Sequence, residues 1–306
     1  MKFGQIENPE EGDFTLPKDH EDTKVNLSPS NKKPFEVYVG CAKWNKQDLK
    51  GFYPRGTKDE LSYYATQFNS VELNATFYKS PSAEQVRVWK DKTPDGFKFY
   101  PKVSNTISHF RRLNNVQDKV VEFCDAISNF EDSLGISFLQ VHDNFKPQDY
   151  DRLERFVKEY PKVIPLAVEL RNSEWFSDTA VTDKVFELFK SENTTPIIVD
   201  TAGRRDLLHM RLTSPKAFVR YVGANHVSDY TRLDDWLERI EQWRAEGLES
   251  LHFFMHQNIE KESPLLSAYF IEKLNKRFDL ELKVPKMTSF LFSNVLLSEW
   301  CKCESH

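Results

Sequence analysis

Residues 165–201, PLAVELRNSEWFSDTAVTDKVFELFKSENTTPIIVDT, contain the pattern that decides the fold. The runs 165–171 and 196–201 are short, apolar and bounded by turn formers, as buried parallel strands are. The apolar residues between them recur at the spacing of one helix face: Val181, Val185, Leu188 and Phe189. The stretch therefore predicts a strand, a helix and a second strand, which is the repeating unit of a parallel α/β sheet.

The same alternation extends in both directions along the chain from residue 35 onward. Eight strands are predicted in all, at 36–42, 69–76, 97–103, 136–142, 165–171, 196–201, 217–222 and 251–256. Apolar stripes of helical spacing follow most of them. The segment 203–216 is short and rich in arginine, so we expect only a turn of helix there.

Eight strand-then-helix units in roughly 250 residues are typical of a (β/α)8 barrel with right-handed crossovers. The alternative is an open doubly wound sheet, which usually has a glycine-rich first turn. The first turn here, residues 42–45 (AKWN), contains no glycine. We therefore predict an α/β protein in which residues 35–283 form a TIM barrel. A polar N-terminal arm at 1–34 precedes it and a short C-terminal extension at 284–306 follows.

Composition excludes several classes of protein. Lys and Arg total 42 against 47 for Asp and Glu, a net charge of −5, which argues against bulk binding to nucleic acid. No apolar run is long enough for a membrane helix, and the N-terminus lacks the apolar core of a signal peptide. The four cysteines, Cys41, Cys124, Cys301 and Cys303, are too scattered for a disulfide framework. We expect a cytoplasmic protein without a membrane partner.

Standard cofactor and nucleophile motifs are absent from the sequence. It contains no G-x-G-x-x-G, P-loop, G-x-S-x-G, H-E-x-x-H or C-x-x-C. Cys301-x-Cys303-x-x-His306 is not a standard zinc spacing and lies where chains usually fray. The sequence therefore has none of the motifs that usually indicate nicotinamide binding, a nucleotide-binding loop, a serine hydrolase or a zinc finger.

Polar residues stand at the carboxyl ends of the predicted strands, the rim that we call the mouth. Barrel enzymes place their sites at this end. The residues concerned are Glu72, Asn74, Lys102, Gln140, His142, Glu169, Arg171, Asp200, Arg220, His256 and Gln257. A ligand site at the mouth is the favoured interpretation. The alternative is that these residues pair with one another to close the core.

Positive charge is concentrated on the same rim. Arg204, Arg205 and Arg211 follow the sixth strand, and Lys102, Arg171 and Arg220 end other strands. Guanidinium groups bind phosphate and carboxylate through paired hydrogen bonds, so the pattern points to a small anionic ligand. The alternative is that Arg204, Arg205 and Asp206 form a solvated run of charges that compensate one another.

One stretch carries a family resemblance. Residues 68–78, FNSVELNATFY, resemble the YecE-like family, also called domain of unknown function 72, and the similarity continues through 169–171 (ELR), 200–205 (DTAGRR) and 253–256 (FFMH). The resemblance implies a TIM barrel, and the family's activity is not known. The chain departs from the family at 40–44 (GCAKW), where members often have Gly-Thr-Ser-Gly-Trp, and in its long arm.

The favoured hypothesis is an enzyme without a cofactor that acts on an anionic or sugar-like small molecule. Glu72 and Glu169 would be general acid and base, with His256 as a further proton carrier. Substrate binding is assigned to Lys102, Arg171 and Arg220, with Asn74 and Gln257 orienting the substrate. Asp200, Arg204, Arg205 and Arg211 complete the predicted substrate-binding set.

Two other hypotheses stay open. A divalent metal held by Glu72, Glu169, Asp200 and His256 would suit a phosphodiesterase or isomerase, although neighbouring cations would repel it. A non-catalytic barrel could instead bind a nucleotide, a nucleic acid or a protein through aromatic residues near the strand ends: Trp44, Tyr53, Tyr78 and Trp175. The sequence does not fix the oligomeric state.

Overall fold

A computed structural model describes residues 4–27 and 33–288. The other residues of the predicted arm and extension, including Cys301, Cys303 and His306, lie outside the described residues. The strands are Glu36–Cys41 (β1), Ser70–Leu73 (β2), Lys98–Pro101 (β3), Ser137–Gln140 (β4), Leu166–Glu169 (β5), Thr195–Thr201 (β6), Lys216–Gly223 (β7) and Ser250–Gln257 (β8). All eight predicted strands are present, and their bounds differ from the prediction by three residues at most.

The α-helices of the described chain lie mainly between these strands. They are Glu21–Asn26 (α1), Glu60–Gln67 (α2), Ala75–Tyr78 (α3), Ala83–Lys90 (α4), Gln117–Ile127 (α5), Tyr150–Glu159 (α6), Thr179–Ser191 (α7), Ser228–Glu246 (α8) and Ser263–Phe278 (α9). Between β6 and β7 there is one 3₁₀ turn, Arg205–Leu207, which agrees with the expectation for 203–216. Sequence periodicity did not predict α1, α3 or α4, the first two of which are six and four residues long.

The strands form two parallel sheets. Six strands pair in the order β1-β8-β7-β6-β5-β4, and β2 pairs with β3. Two isolated parallel bridges, Phe99 with Leu134 and Lys102 with Phe138, connect the β3 side to the β4 side. The fold is therefore a mixed α/β fold built on a curled parallel sheet.

Side chains connect β1 to β2 where the backbones do not form a ladder. The Asn69 amide accepts from the Val39 N–H at 3.0 Å and donates to the Val37 carbonyl at 2.7 Å, so it takes the place of a peptide group. The Tyr64 hydroxyl accepts from the Cys41 N–H and donates to the Ser70 carbonyl. The two strands are so close that a Cβ at Gly40 would lie 2.2 Å from the Ser70 oxygen.

The inner face of the curled sheet has its own apolar cluster. Its members are Tyr100, Ile136, Phe138, Ala167, Ile197, Val199, Phe218 and Phe254. Tyr100 of β3 contacts the rings of Phe218 and Phe254, on β7 and β8, so strands distant in the pairing order face one another. The alternate strand residues pack outward against the helices; for example, Phe253 contacts Trp236 of α8 and Phe270 of α9.

The described part of the arm is fastened to the body by buried polar contacts. Asp19 accepts hydrogen bonds from Arg239 and from the Trp243 indole of α8. Thr23 donates to the Met210 carbonyl at 3.1 Å and accepts from the Leu212 N–H. The arm therefore covers α8 and the connection between β6 and β7. Among the described residues, no helix has both the length and the apolar character needed to cross a bilayer.

We expect Asn69→Ala to lower the free energy of unfolding by about 2 kcal/mol, since it leaves the Val39 N–H and the Val37 carbonyl without a partner. Urea unfolding followed by circular dichroism measures this loss. The exposed Asn114 gives a matched control, and Asn114→Ala should change stability by less than about 0.5 kcal/mol. Equal stability of the two variants would show that Asn69 does not connect β1 to β2.

Candidate functional site

Arg220 is the centre of a buried group of charges at the carboxyl ends of the strands. Its Nε and Nη2 each donate to one oxygen of Glu72 at 2.8 Å, which is the paired geometry of a guanidinium with a carboxylate. Its Nη1 donates to Glu169. Both carboxylates have no exposed surface, and Arg220 is 8% exposed. One cation from β7 thus binds carboxylates from β2 and β5.

Amide side chains complete the hydrogen bonding of both carboxylates. Asn74 donates to Glu72 Oε1 at 2.8 Å, and Gln140 donates to Glu169 Oε1 at 2.7 Å. The Gln140 oxygen in turn accepts from Lys102 Nζ at 2.9 Å. Sequence analysis noted Gln140 at a strand end without giving it a role, and its signal was its position on the same strand face as Phe138.

Attraction between Arg220 and the two carboxylates determines the protonation states of this buried group. Burial alone would raise the pKa of Glu72, but Arg220 and His256 hold that pKa well below its usual range. Burial also opposes ionisation of Glu169, whose pKa is nevertheless lowered by Arg220 and Arg171. Burial would lower the pKa of Arg220, and the two carboxylates raise it instead. Both carboxylates are therefore ionised at neutral pH.

His256 lies at the end of β8 beside the ion pair. Its Nε2 is 3.0 Å from Glu72 Oε2 and 3.3 Å from Arg220 Nη2. A protonated Nε2 would donate to the carboxylate, whereas an unprotonated one would accept from the guanidinium. His256 therefore contacts both the carboxylate and the guanidinium of the ion pair.

A rim of cationic and aromatic side chains surrounds these residues. Lys102 Nζ lies 4.3 Å from the centre of the Phe77 ring. Arg171 Nε is 2.9 Å from Asp143, whose side chain is 56% exposed, and 3.9 Å from Glu169. The His109 ring contacts both Phe77 and His142. Burial and the neighbouring His142 lower the pKa of His109 to about 4, so it is neutral at pH 7.

The structure brings together seven of the twelve predicted site residues. With Gln140 they form what we call the mouth cluster: Glu72, Asn74, Lys102, Gln140, Glu169, Arg171, Arg220 and His256. Their inward direction follows from strand alternation, since Arg220 and Phe218 are two residues apart on one face. Their predicted roles in catalysis and binding stay proposals.

Asp200 and Gln257 are not part of the mouth cluster, which corrects their predicted placement. Asp200 follows the inward Val199 and so faces the helices, where it accepts from Arg232 and from the Trp236 indole. Gln257 follows His256 and accepts from the Asn225 N–H at 3.1 Å. Each residue is one position out of register with the inner face.

The three arginines after β6 are also placed differently from the prediction. Arg205 bonds Asp200 and the arm carbonyls of Phe14 and Thr15. Arg211 bonds Asp183 of α7 and Asp22 of the arm. Arg204 forms a paired contact with Asp206, both bonds 2.9 Å long, as in the alternative of a compensated charge run. Arg205 and Arg211 hold the arm, a partner that the strand pattern could not reveal.

The predicted metal set is not assembled. Glu72 and His256 are neighbours, but Asp200 lies in the separate contact with Arg232. Within residues 4–27 and 33–288, no group of three or more His, Cys, Asp or Glu side chains is arranged to hold a metal ion. A cavity of about 300 Å³ lies away from the mouth, at the amino ends of β2 and β3, where Asn69, Phe97 and Leu282 line it.

The fold and the mouth cluster together define a parallel α/β protein with a buried charged site at the carboxyl ends of its strands. Residues 38–289 match the family described as "Protein of unknown function DUF72", and the chain belongs to this family. The YecE-like resemblance of the sequence is thereby confirmed. Residues 1–37, which include the arm, precede the matched region.

Curated relatives and solved structures agree with this assignment. The chain is 26% identical over 262 residues to UPF0759 protein YecE of Escherichia coli K12, covering 78% of this chain and 93% of the relative. It is 29% identical over 151 residues to UPF0759 protein YunF of Bacillus subtilis, covering 46% and 52%.

Two crystal structures of DUF72 family proteins share the fold. For the protein from Thermotoga maritima the TM-score is 0.65 at 24% identity, over 78% of this chain and 99% of that chain. For the protein from Enterococcus faecalis it is 0.64 at 17% identity, over 82% and 100%. None of these names states an activity.

We expect Arg220→Met to lower the free energy of unfolding by about 3–5 kcal/mol at pH 7.5, since it leaves Glu72 and Glu169 buried without their cation. Once Arg220 is gone, we expect burial, the largest effect on each carboxyl, to raise both pKa values above those of the unfolded chain despite the remaining cations. The penalty is then largest above those pKa values, and it shrinks as the pH falls and the carboxyls take up protons. Urea unfolding at pH 7.5 and pH 5 measures the difference.

The control for this variant is Arg277→Met, which removes an exposed contact with Glu241. It should cost less than about 1 kcal/mol at either pH. A loss for Arg220→Met that is the same at both pH values would contradict the ionised state of the two carboxylates.

Proposed function

We propose that the protein is an enzyme acting on a small anionic substrate, a phosphate or a carboxylate, bound at the mouth cluster. The observation that carries the proposal is the charge of the cluster. Its cations are Lys102, Arg171 and Arg220, and its two buried carboxylates are both bound to Arg220. Asp143, which contacts Arg171 from the rim, is 56% exposed, so within the buried part of the site three cations face two carboxylates, and this excess of positive charge favours an incoming anion.

Lys102 and Arg171 are the residues to which we assign the anion. Arg171 has a side-chain exposure of 14% and Lys102 is 7% exposed, so neither cation is freely hydrated. Arg220 donates hydrogen bonds to both carboxylates, so we assign it the role of positioning them. Asn74 bonds Glu72 and the Ala42 carbonyl, so it too supports the cluster.

Proton transfer is assigned to His256 rather than to the carboxylates. The lowered pKa values of Glu72 and Glu169 leave neither of them protonated at neutral pH, so neither can serve as a general acid. Glu72 instead orients the imidazole through its contact with Nε2 at 3.0 Å, as a carboxylate beside a histidine does. The proposal therefore moves the proton-transfer role from Glu72 and Glu169, expected from the sequence to be general acid and base, to His256, which was expected only as a further proton carrier.

The proposal extends to the shape of the sheet and the location of the protein. We propose that the eight strands form a closed barrel, supported by the bridges of Phe99 and Lys102 toward β4 and by the Asn69 contacts with β1.

We also propose a location in the cytoplasm. Two cysteines, Cys41 and Cys124, are buried free thiols, which suits the reducing conditions of the cytoplasm.

Thermal unfolding with candidate ligands tests the binding step. We expect inorganic phosphate, sugar phosphates or small carboxylates to raise Tm by several degrees, because a ligand at a hundred times its Kd adds about 2.7 kcal/mol. Arg171→Gln should lose this shift, and Arg277→Gln, which alters an exposed contact, should keep it. Stabilisation by divalent metals alone, or by oligonucleotides alone, would contradict an anionic small-molecule site.

Turnover of a stabilising anion tests the proton carrier. His256→Asn should lower kcat by about a hundredfold or more while the thermal shift is retained, because general acid and base groups contribute factors of this size. Product formation followed by NMR measures it. A variant with unchanged kcat would remove His256 from the reaction.

A further inference from the structure

Lys102 is a buried amine whose hydrogen bond goes to a neutral group. Its Nζ donates to the Gln140 amide oxygen at 2.9 Å and lies over the Phe77 ring. Buried lysines are usually paired with a carboxylate. Among the described residues, none of the ion pairs within 4 Å includes Lys102, and both nearby carboxylates bind Arg220.

The surroundings favour the neutral form of this amine. Burial and the Arg220 charge lower the pKa of Lys102 to about 8, and the nearby charge of Arg171 acts in the same direction. Glu72 and Glu169 oppose this effect only in part. About a tenth of the amine is then unprotonated at pH 7 and about half at pH 8, and the unprotonated form has the lone pair of a nucleophile.

We propose that Lys102 forms an imine with a carbonyl carbon of the substrate while Arg171 holds the substrate's anionic group. The inference rests on the proposed function and narrows the substrate to an anionic aldehyde or ketone, such as an oxo acid. Arg171 stays charged when Lys102 is neutral, so loss of the amine's charge does not abolish anion binding.

The step is balanced without a cofactor. The neutral amine of Lys102 attacks the carbonyl carbon, and a proton passes from its nitrogen to the oxygen to give a carbinolamine. The nitrogen lone pair then forms the C=N bond, and the hydroxyl takes up a proton from solvent and leaves as water, which gives the protonated imine; addition of water with release of that proton reverses the sequence. The protonated imine withdraws electrons from the neighbouring carbon, which is the advantage of this intermediate over the free carbonyl.

Reductive trapping on the full chain tests the proposal. The protein is incubated with glyoxylate or pyruvate and sodium cyanoborohydride, and modified lysines are located by peptide mass spectrometry. At pH 8 the neutral fraction of Lys102 is about a hundred times that of an ordinary lysine. We therefore expect Lys102 to be modified at least about ten times faster than the exposed Lys158.

Controls separate the specific reaction from surface labelling. The rate at Lys102 should rise with a midpoint near pH 8, whereas the rate at Lys158 should keep rising above pH 9. Lys102→Arg keeps a cation and should remove the fast adduct, whereas Lys158→Met should leave it unchanged. Arg171→Gln should slow trapping about tenfold at low oxo-acid concentration.

The outcomes distinguish this inference from the proposed function. Stabilisation of the protein by oxo acids with no preferential labelling of Lys102 would overturn the imine and leave the anion site standing. Neither stabilisation nor labelling by any anion would overturn both. Fast labelling at Lys102 that Arg171→Gln does not slow would support the nucleophile and contradict the anion assignment.

Discussion

The bond of one arginine to two buried glutamates is the constraint on which the rest of the mouth depends. Arg220 connects β7 to β2 and to β5, strands that do not pair with β7. Removing a guanidinium and two carboxylates from water is costly, and the cost is recovered only if the geometry satisfies nearly every donor and acceptor. Asn74 and Gln140 supply the bonds that Arg220 leaves unmade. The cluster therefore forms as a unit.

In this arrangement the carboxylates at the centre of the mouth cluster and the residues at its edge have different hydrogen bonding. Glu72 and Glu169 are strong acceptors whose oxygens are occupied, so they act through the groups they hold. Among the described residues, the Lys102 amine donates only to the Gln140 amide at the edge of the cluster, so it can change protonation without separating Arg220 from its partners. The charges of Arg220, Glu72 and Glu169 thus help to set the pKa of the Lys102 amine.

Much of the fold and part of the site could be predicted because both follow local periodicity. Apolar strand runs and helical stripes located eight strands, and strand alternation explains why residues two apart, such as Phe218 and Arg220, lie on one face. The errors have the same origin. Asp200 and Gln257 come one residue after the inward position, and a strand end read from sequence alone does not specify register to one residue.

Contacts distant in sequence were beyond this kind of reasoning. Arg205 and Arg211 resemble ligand-binding arginines because their partners, the arm residues near Phe14 and Asp22, lie about 190 residues away. The role of Asn69 in the sheet could not be predicted either. Nothing in the sequence indicates that its amide replaces the backbone hydrogen bonds between β1 and β2. A polar residue at a strand end indicates a site only when its neighbours in space are known.

The two roles given to Lys102, holding an anion and attacking a carbonyl, need different protonation states of one amine. A pKa near 8 keeps both states populated around neutral pH, and Arg171 makes anion binding less dependent on the lysine's charge. Moving Lys102 into contact with Glu169 would favour its cation and suppress the nucleophile. Gln140 separates the two, since its oxygen accepts from the amine while its nitrogen donates to the carboxylate. The neutral amide is thus what allows a lysine beside two carboxylates to retain a reactive lone pair.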